Sequence, residues 1–177
     1  MHHPMCTSRL RGFTLVEVMV TVTIMAIIAV SVIPAMDMVA ETRKGTARDE
    51  VIRMLEYARA RAVASGKPCG VLAQTSGSTV SMVQLDADGG IEPMLNPFGL
   101  DEEVVSIEEE FSGVSITSVD AQTDATGTIW FDYMAQPHAR DADGSFGQLN
   151  TGDASITLSS GVEIVVRAYS GYVEVAP

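Results

Sequence analysis

An uninterrupted apolar run near the N-terminus constrains this chain more than any other sequence feature. Residues 13–33 read FTLVEVMVTVTIMAIIAVSVI and contain one charged residue, Glu17. A helix of this length is about 31 Å long, close to the hydrocarbon thickness of a bilayer. The run follows a leader, residues 1–12, which contains Arg9 and Arg11 and no acidic residue. The positive-inside rule therefore predicts a single-pass transmembrane helix with a cytoplasmic leader and an exported C-terminal part.

Three interpretations of this run are open. A cleaved secretory signal would place its small-residue site at Ala29-Val30-Ser31, but the run is longer than such a signal needs and Pro34 follows closely. A plain membrane anchor accounts for the length but leaves Glu17 unexplained.

The third interpretation starts from Glu17, because a carboxylate deep in an apolar run is costly unless it finds a partner. If the leader is removed after Gly12, Phe13 gains a free α-amine. In a helical array, Glu17 of one subunit could then neutralise the N-terminal amine of its neighbour.

The segment Arg11-Gly12-Phe13-Thr14-Leu15-Val16-Glu17 resembles the class III signal of type IV pilins and type II secretion pseudopilins. The resemblance implies that a prepilin peptidase cleaves after Gly12 and methylates Phe13, and that Glu17 guides assembly with other pilins or pseudopilins into a helical filament. It further implies a helix kink at Pro34, insertion in the lipid of the bacterial inner membrane, contact with an inner-membrane assembly platform, and a periplasmic C-terminal domain.

Small and apolar residues recur every three to four positions after Pro34, which predicts an amphipathic helix. This apolar stripe consists of Ala47, Val51, Met54 or Leu55, Ala58 and Ala62. Gly66 and Lys67-Pro68 are a typical helix stop. The sequence thus predicts one long helix from Phe13 to about Ser65, with a weak point near Gly45.

Arginines occupy the face of this helix opposite the stripe. Two interpretations are open, a solvated helix face or a surface that meets acidic surfaces of neighbouring subunits. Two acidic residues are placed for i,i+3 pairing, Glu50 with Arg53 and Glu56 with Arg59. The arginines are Arg48, Arg53, Arg59 and Arg61.

Two further segments bear on the subgroup. Residues 56–68, EYARARAVASGKP, are similar to the helix end of the pseudopilin H and minor pilin T group. Residues 129–137 keep the start of an I-x-F-x-P-x-G stretch of that group but lack its glycine.

From residue 69 the apolar period changes to two, which predicts short strands separated by turns. The fold class is therefore α+β, a long helix packed on a small antiparallel β-sandwich, with a tight hairpin around Ser170-Gly171. The predicted divisions are residues 1–12 (leader), 13–33 (transmembrane or filament-core helix), 34–66 (stalk helix) and 67–177 (β domain). The predicted strands are Cys69–Gln74, Thr79–Leu85, Val104–Ile107, Val114–Val119, Thr128–Phe131, Ser155–Leu158, Val162–Tyr169 and Tyr172–Val175.

No catalytic or cofactor motif is found in the β domain. Its one histidine, His138, is predicted on a surface loop, and the nucleophile-elbow, zinc-protease and phosphate-loop patterns are missing. Cys69 is the one cysteine of the β domain, which excludes a disulfide within that domain. We expect Cys69 to serve as a small side chain in a strand. No enzyme activity and no cofactor are expected.

Two Asp-x-Asp-Gly segments, at Asp86 and Asp88 and at Asp141 and Asp143, are weak calcium candidates. Neither completes a twelve-residue calcium loop, and Asp-Gly is also an ordinary turn former. The acidic runs 101–103 and 108–110 are either a solvated edge or a docking surface for basic stalk helices.

Charge is unevenly divided along the chain. The net charge of −12 divides into +3 over residues 1–67 and −15 over residues 68–177. The acidic β domain argues against nucleic acid as a partner. The predicted function is a minor pseudopilin of a type II secretion system. The alternatives are a minor pilin of a type IV pilus, including one linked to DNA uptake, and an anchored binding module or adhesin that does not polymerise.

Overall fold

The computed structural model describes residues 14–86, 89–95, 104–122, 126–140 and 146–176, without the side chains of residues 30–36 and 146. By internal contacts the chain divides into two compact units between Ala40 and Glu41. One helix, α1, runs from Leu15 to Ser65 and continues through Gly45, where the sequence predicted a weak point. It ends as predicted at Gly66, which has a positive φ of 68° and donates its N–H to Ala62 O.

The part of α1 within the C-terminal unit packs through one face. The predicted stripe is confirmed, because every one of its residues is fully buried in a single apolar cluster with strand residues that follow. The sequence predicted that either Met54 or Leu55 belongs to the stripe, and the structure buries both. The alanines bring the helix backbone close to the sheets, since they have no side chain beyond Cβ.

Eleven strands and one short helix follow in the described part of the chain. Five of them extend to Asp120: β1 (Cys69–Gln74), β2 (Thr79–Leu85), β3 (Ile91–Pro93), β4 (Val104–Ser106) and β5 (Ile116–Asp120). The others are β6 (Thr128–Phe131), β7 (Pro137–Arg140), β8 (Phe146–Leu149), β9 (Ala154–Leu158), β10 (Glu163–Val166) and β11 (Val173–Val175). The helix, α2, is Ile107–Glu110.

These strands form two antiparallel sheets, which confirms the predicted α+β class. The larger sheet has the order β3-β2-β1-β6-β7-β8, and β4 pairs with β2 beyond the end of β3. The smaller sheet has the order β11-β10-β9-β5. Side chains alternate between the two faces of a strand, so one face of each sheet contributes to the core. That face packs in the same cluster as the α1 stripe.

The other face of the larger sheet holds a second apolar cluster around Trp130. Val83, Leu85 and Leu72 pack there with the Trp130 ring, which is fully buried. Gly70 is paired with Trp130 across β1 and β6, and a Cβ on Gly70 would lie 2.9 Å from Trp130 Cε3. The Arg140 guanidinium carbon lies 5.2 Å from the centroid of the same ring. A glycine is therefore needed on β1 so that the indole can lie flat across the sheet.

Three strands, β3, β7 and β8, were not predicted from the sequence. Strand β3 is only three residues long and ends in proline, and β7 begins with proline, a residue that normally argues against a strand. Both positions are compatible with pairing because proline lies at the last or first residue. The predicted strand at 104–107 is shorter, since Ile107 instead begins α2.

His138 was predicted on a surface loop, and the structure corrects this. It lies in β7 opposite Trp130 and is 1% exposed. The tight turn at residues 132–136 returns the chain onto β6, because Asp132 Oδ1 accepts hydrogen bonds from the N–H groups of Met134 and Gln136, both at 2.8 Å. That turn brings His138 into the sheet.

A charged link fastens the smaller sheet. Asp153 Oδ1 accepts the N–H of Ala168 at 2.8 Å, and its Oδ2 accepts a hydrogen bond from Arg167 Nη1 at 2.6 Å. Arg167 also pairs with Glu174 on β11. The Ala168 N–H, and next the Arg167 guanidinium, lower the pKa of the Asp153 carboxyl from its ordinary value of 3.8.

This link predicts a loss of stability in acid. A carboxyl with a lowered folded-state pKa stabilises the fold fully above its unfolded pKa. The stabilisation disappears as pH falls through the folded-state pKa. Asp153→Asn should therefore reduce the melting temperature by a few degrees at most at neutral pH, since a partly exposed ion pair is weak. The variant should also lose less of its melting temperature between neutral and acid pH than the wild-type protein does. Melting curves between neutral and acid pH measure this, with Glu163→Gln, on exposed β10 surface, as the control. An unchanged pH profile for Asp153→Asn would contradict the assignment.

Candidate functional site

Helix α1 begins with a side-chain cap at Thr14. Its Oγ1 accepts the backbone N–H of Glu17 at 3.3 Å, and its carbonyl accepts that of Val18 at 3.2 Å. Thr14 and Glu17 are spaced as in a capping box, and the acidic residue lies in the first helical turn, where the helix dipole favours negative charge. This cap uses the backbone N–H of Glu17 and does not involve the Glu17 carboxylate.

No partner of that carboxylate is found among the described residues. Around it the described side chains are exposed and mostly apolar. Two threonines interrupt them, and their hydroxyls donate to helix carbonyls, Thr21 to Val18 and Thr23 to Met19. Among the polar side chains of residues 14–29, that of Glu17 is thus the one without a hydrogen-bond partner in its own helix. The large exposed side chains are Leu15, Val16, Val18, Met19, Val20, Val22, Ile24, Met25, Ile27 and Ile28.

Other sequence-predicted residues of this segment are not described. Gly12 and Phe13, the predicted cleavage and methylation residues, lie outside the described range. Pro34 lies within α1, but its side chain is not described, and the predicted kink stays a prediction. In the part of the chain that the structure describes, no helix is both long and apolar enough to cross a membrane. The transmembrane helix over residues 13–33 stays a prediction.

The arginine face of α1 divides among several contacts. Arg53 forms the predicted pair with Glu50, with Nη2 and Oε1 in contact at 2.5 Å, and Arg48 pairs with its neighbour Asp49 at 2.7 Å. Arg59, predicted to pair with Glu56, donates from Nη2 to the Ser170 carbonyl at 3.1 Å. Arg59 is therefore part of the fold of the C-terminal unit, whereas Arg61 is exposed.

Sequence reasoning missed the meeting of two turns at Arg59. The Ser170-Gly171 turn contacts the turn that contains Ala135 so closely that a Cβ on Gly171 would overlap the Ala135 carbonyl oxygen. Ala135 and Tyr169 adopt positive φ angles of 66° and 62°, which non-glycine residues rarely do. The Ser170-Gly171 pair was the sequence signal for one of the two turns, but nothing in the sequence indicated that the turn at Ala135 would meet it.

The calcium candidates are partly described. Asp86 Oδ1 accepts the N–H of Gly90 at 2.6 Å, and the Asp86 N–H donates to the Gly90 carbonyl at 3.0 Å, so this carboxylate closes a turn. Asp88, Asp141 and Asp143 lie outside the described residues. Among the residues that are described, no group of three or more candidate ligands converges. Of the two acidic runs, Glu108–Glu110 is exposed on α2 and residues 101–103 are not described.

Cys69 lies in β1 as predicted and is fully buried. Its Sγ lies 3.6 Å from the Lys67 carbonyl. Burial raises the pKa of this thiol above its ordinary value of 9.0, so the group stays protonated at neutral pH. A buried protonated thiol is unreactive, which is consistent with a packing role.

Comparison with known proteins adds two findings. Residues 7–33 match the family model described as the prokaryotic N-terminal methylation motif, a range that includes Gly12, Phe13 and Glu17. No curated protein matches the chain significantly.

Three solved structures are similar in fold. The minor pseudopilin EpsH from the type 2 secretion system of Vibrio cholerae matches with a TM-score of 0.50 at 15% identity, over 75% of this chain and 94% of that one. The type IV minor pilin FimU of Pseudomonas aeruginosa matches with a TM-score of 0.46 at 14% identity, over 75% and 92%. A second EpsH structure matches with a TM-score of 0.47 at 10% identity, over 74% and 93%. The chain thus combines a prepilin-type N-terminal motif with a pilin-like α+β fold, as the sequence predicted.

Proposed function

We propose that this protein is a minor pseudopilin, a structural subunit of the pseudopilus of a type II secretion system. The single observation that supports this most is the pairing of the N-terminal methylation motif at residues 7–33 with a pilin-like fold. Residues 56–68 resemble the helix end of the pseudopilin H and minor pilin T group, which includes subunits of both systems, so the choice between a type II secretion system and a type IV pilus is left to the deletion test below. A structural role fits a β domain whose sequence has no catalytic motif.

The proposed mechanism is mechanical. The peptidase removes residues 1–12, the helix over residues 13–33 first anchors the protein in the inner membrane, and the same helices then bundle in the filament core. Exposed apolar side chains along residues 15–28 supply surface for that bundle. The C-terminal domain lies in the periplasm and faces outward. The partners are the prepilin peptidase, the assembly platform and neighbouring pseudopilins.

Glu17 has a definite role in this proposal, since its carboxylate pairs with the methylated amine of a neighbouring Phe13. Glu17→Gln keeps the size of the side chain and the Thr14 cap but removes the charge. Loss of one partner of a desolvated ion pair costs about 3–5 kcal/mol. We expect normal leader cleavage and a drop of about tenfold or more in the subunit recovered in filaments.

The measurement is an immunoblot of filament subunits cross-linked to their neighbours inside the cell envelope, beside a membrane fraction that reports processing. Glu56→Gln is the matched control, because Glu56 is an exposed carboxylate of α1 in the C-terminal unit. Wild-type recovery of Glu17→Gln in filaments would reject the pairing role. The choice of system rests on a separate observation: deletion of the gene should stop protein secretion and leave pilus-dependent motility unchanged.

A further inference from the structure

A small open cleft lies between α1 and the turn that joins β9 to β10. Its volume is about 300 Å³, and all of its lining residues belong to the C-terminal unit. This volume is at the lower end of the range for small-molecule sites and is large enough for one side chain. The lining residues are Glu41, Lys44, Gly45, Arg48, Ser160 and Val162.

Gly45 leaves the helix backbone bare along this cleft. Glycine is less favourable than alanine in a helix interior, so its presence within α1 needs a reason. Packing among the described residues gives none, because a Cβ on Gly45 would meet none of their atoms within 4 Å. The missing Cβ instead leaves room for a group from outside to approach the helix closely.

Two cations flank Gly45 on the same side of α1. Lys44 Nζ pairs with Glu41 at 2.6 Å, and Arg48 pairs with Asp49. These side chains are partly exposed, at 39% for Lys44 and 38% for Arg48. Exposed ion pairs of this kind are weak, so either cation can exchange its present partner for an incoming carboxylate.

The opposite wall carries an unsatisfied hydroxyl. The turn is fixed because Ser159 donates its N–H to the Ser115 carbonyl at 2.8 Å and its Oγ accepts the Ser115 N–H at 2.9 Å. Next to it, Ser160 Oγ is buried and has no hydrogen-bond partner among the described residues. Buried polar groups are normally satisfied, so this hydroxyl indicates a missing partner at the cleft.

We propose that this cleft binds a glutamate or aspartate side chain of an adjoining subunit in the assembled filament. The inference rests on the proposed function for the existence of such neighbours. Charge complementarity selects the partner, because the basic Lys44 and Arg48 outnumber the acidic Glu41 in the lining of a space of side-chain size. Subunits of this kind do present such groups, as the exposed Glu108–Glu110 of this chain shows. Contacts between different surfaces of successive subunits are those that build a helical array.

The test uses the full chain in zwitterionic detergent and a capped five-residue peptide with three central glutamates. Isothermal titration should give binding about tenfold tighter than for the counterpart with three glutamines. Gly45→Leu fills the cleft and should abolish binding without lowering the melting temperature, since leucine is the better helix former. Combined Lys44→Gln and Arg48→Gln should weaken binding about tenfold, while the control Arg61→Gln, an exposed arginine outside the cleft, should not.

Equal binding of both peptides, or full binding by Gly45→Leu, would overturn the proposal. Displacement of the glutamate peptide by an equal concentration of inorganic phosphate would also overturn it, because the cleft would then be a general anion site. These outcomes are separate from the proposed function. An uncleaved leader refutes the function whatever the peptide does, and a cleaved subunit that enters filaments but ignores the peptide refutes the cleft alone.

Discussion

Replacement of Gly12 by alanine is expected to block removal of residues 1–12 almost completely. The resemblance implies a peptidase that must approach the backbone closely at this bond, and a Cβ at Gly12 obstructs that approach. The predicted cleavage of the wild-type chain would remove Arg9 and Arg11 and change the net side-chain charge from −12 to −14. Isoelectric focusing of the membrane fraction therefore separates the two forms, together with their difference in gel mobility. The variant should remain at the position of the uncleaved chain.

The control for this experiment is Leu10→Ala, which changes the leader two residues away from the bond. It should be cleaved normally. If Gly12→Ala is also cleaved normally, the assignment of a prepilin-type leader is wrong, and a plain anchor or a conventional secretory signal becomes the better interpretation of residues 13–33.

Replacement of Gly171 by alanine is expected to be the most destabilising single change among the turns. The residue has a φ of 62°, and a Cβ there would overlap the Ala135 carbonyl oxygen and lie 3.3 Å from Arg59 Nε. A backbone atom cannot rotate away, so the two turns must separate and Arg59 loses its bond to Ser170. We expect a loss of about 3 kcal/mol in the free energy of unfolding. Trp130 is the one tryptophan and is fully buried, so its fluorescence follows unfolding in urea.

Gly161→Ala separates the cost of the positive φ from the cost of the overlap with Ala135. Gly161 also has a positive φ, 81°, but a Cβ there would meet nothing within 4 Å. Its substitution should cost only about 1 kcal/mol, the strain of the left-handed conformation. Equal losses in the two variants would show that the contact with Ala135 contributes nothing.

The regular elements could be predicted because their side chains repeat with a clear period. Ala47, Val51 and Ala58 identified the buried face of α1, and the bounds of β1, β2 and β6 agree with those predicted from alternation. In α1 the apolar residues recur with the helical period, and in β1, β2 and β6 short apolar segments are bounded by turn residues, so each signal is local.

What could not be predicted depends on contacts between distant residues. Arg59 and Ser170 are 111 positions apart, and nothing near Arg59 distinguishes it from the solvated arginines. His138 is buried because β7 pairs with β6, although Pro137 beside it favours a loop. The cleft at Gly45 likewise requires Ser160, which the helix pattern cannot reveal. Gly12 and Phe13 were predicted by resemblance alone.

The arrangement of the core also determines how much of the chain must be present before the C-terminal unit can fold. The α1 stripe, which ends at Ala62, shares its cluster with Ile164, Val166 and Val173 of the last two strands. The α1 stripe therefore cannot be fully buried until β10 and β11 have formed, and contacts so distant in sequence form slowly. If the chain is exported with its N-terminal run held in the bilayer, as the proposed function requires, residues 47–62 emerge first and stay uncovered until β10 and β11 have followed. A subunit interrupted before that point would then present an apolar helix face to the chaperones and proteases of the compartment that receives it.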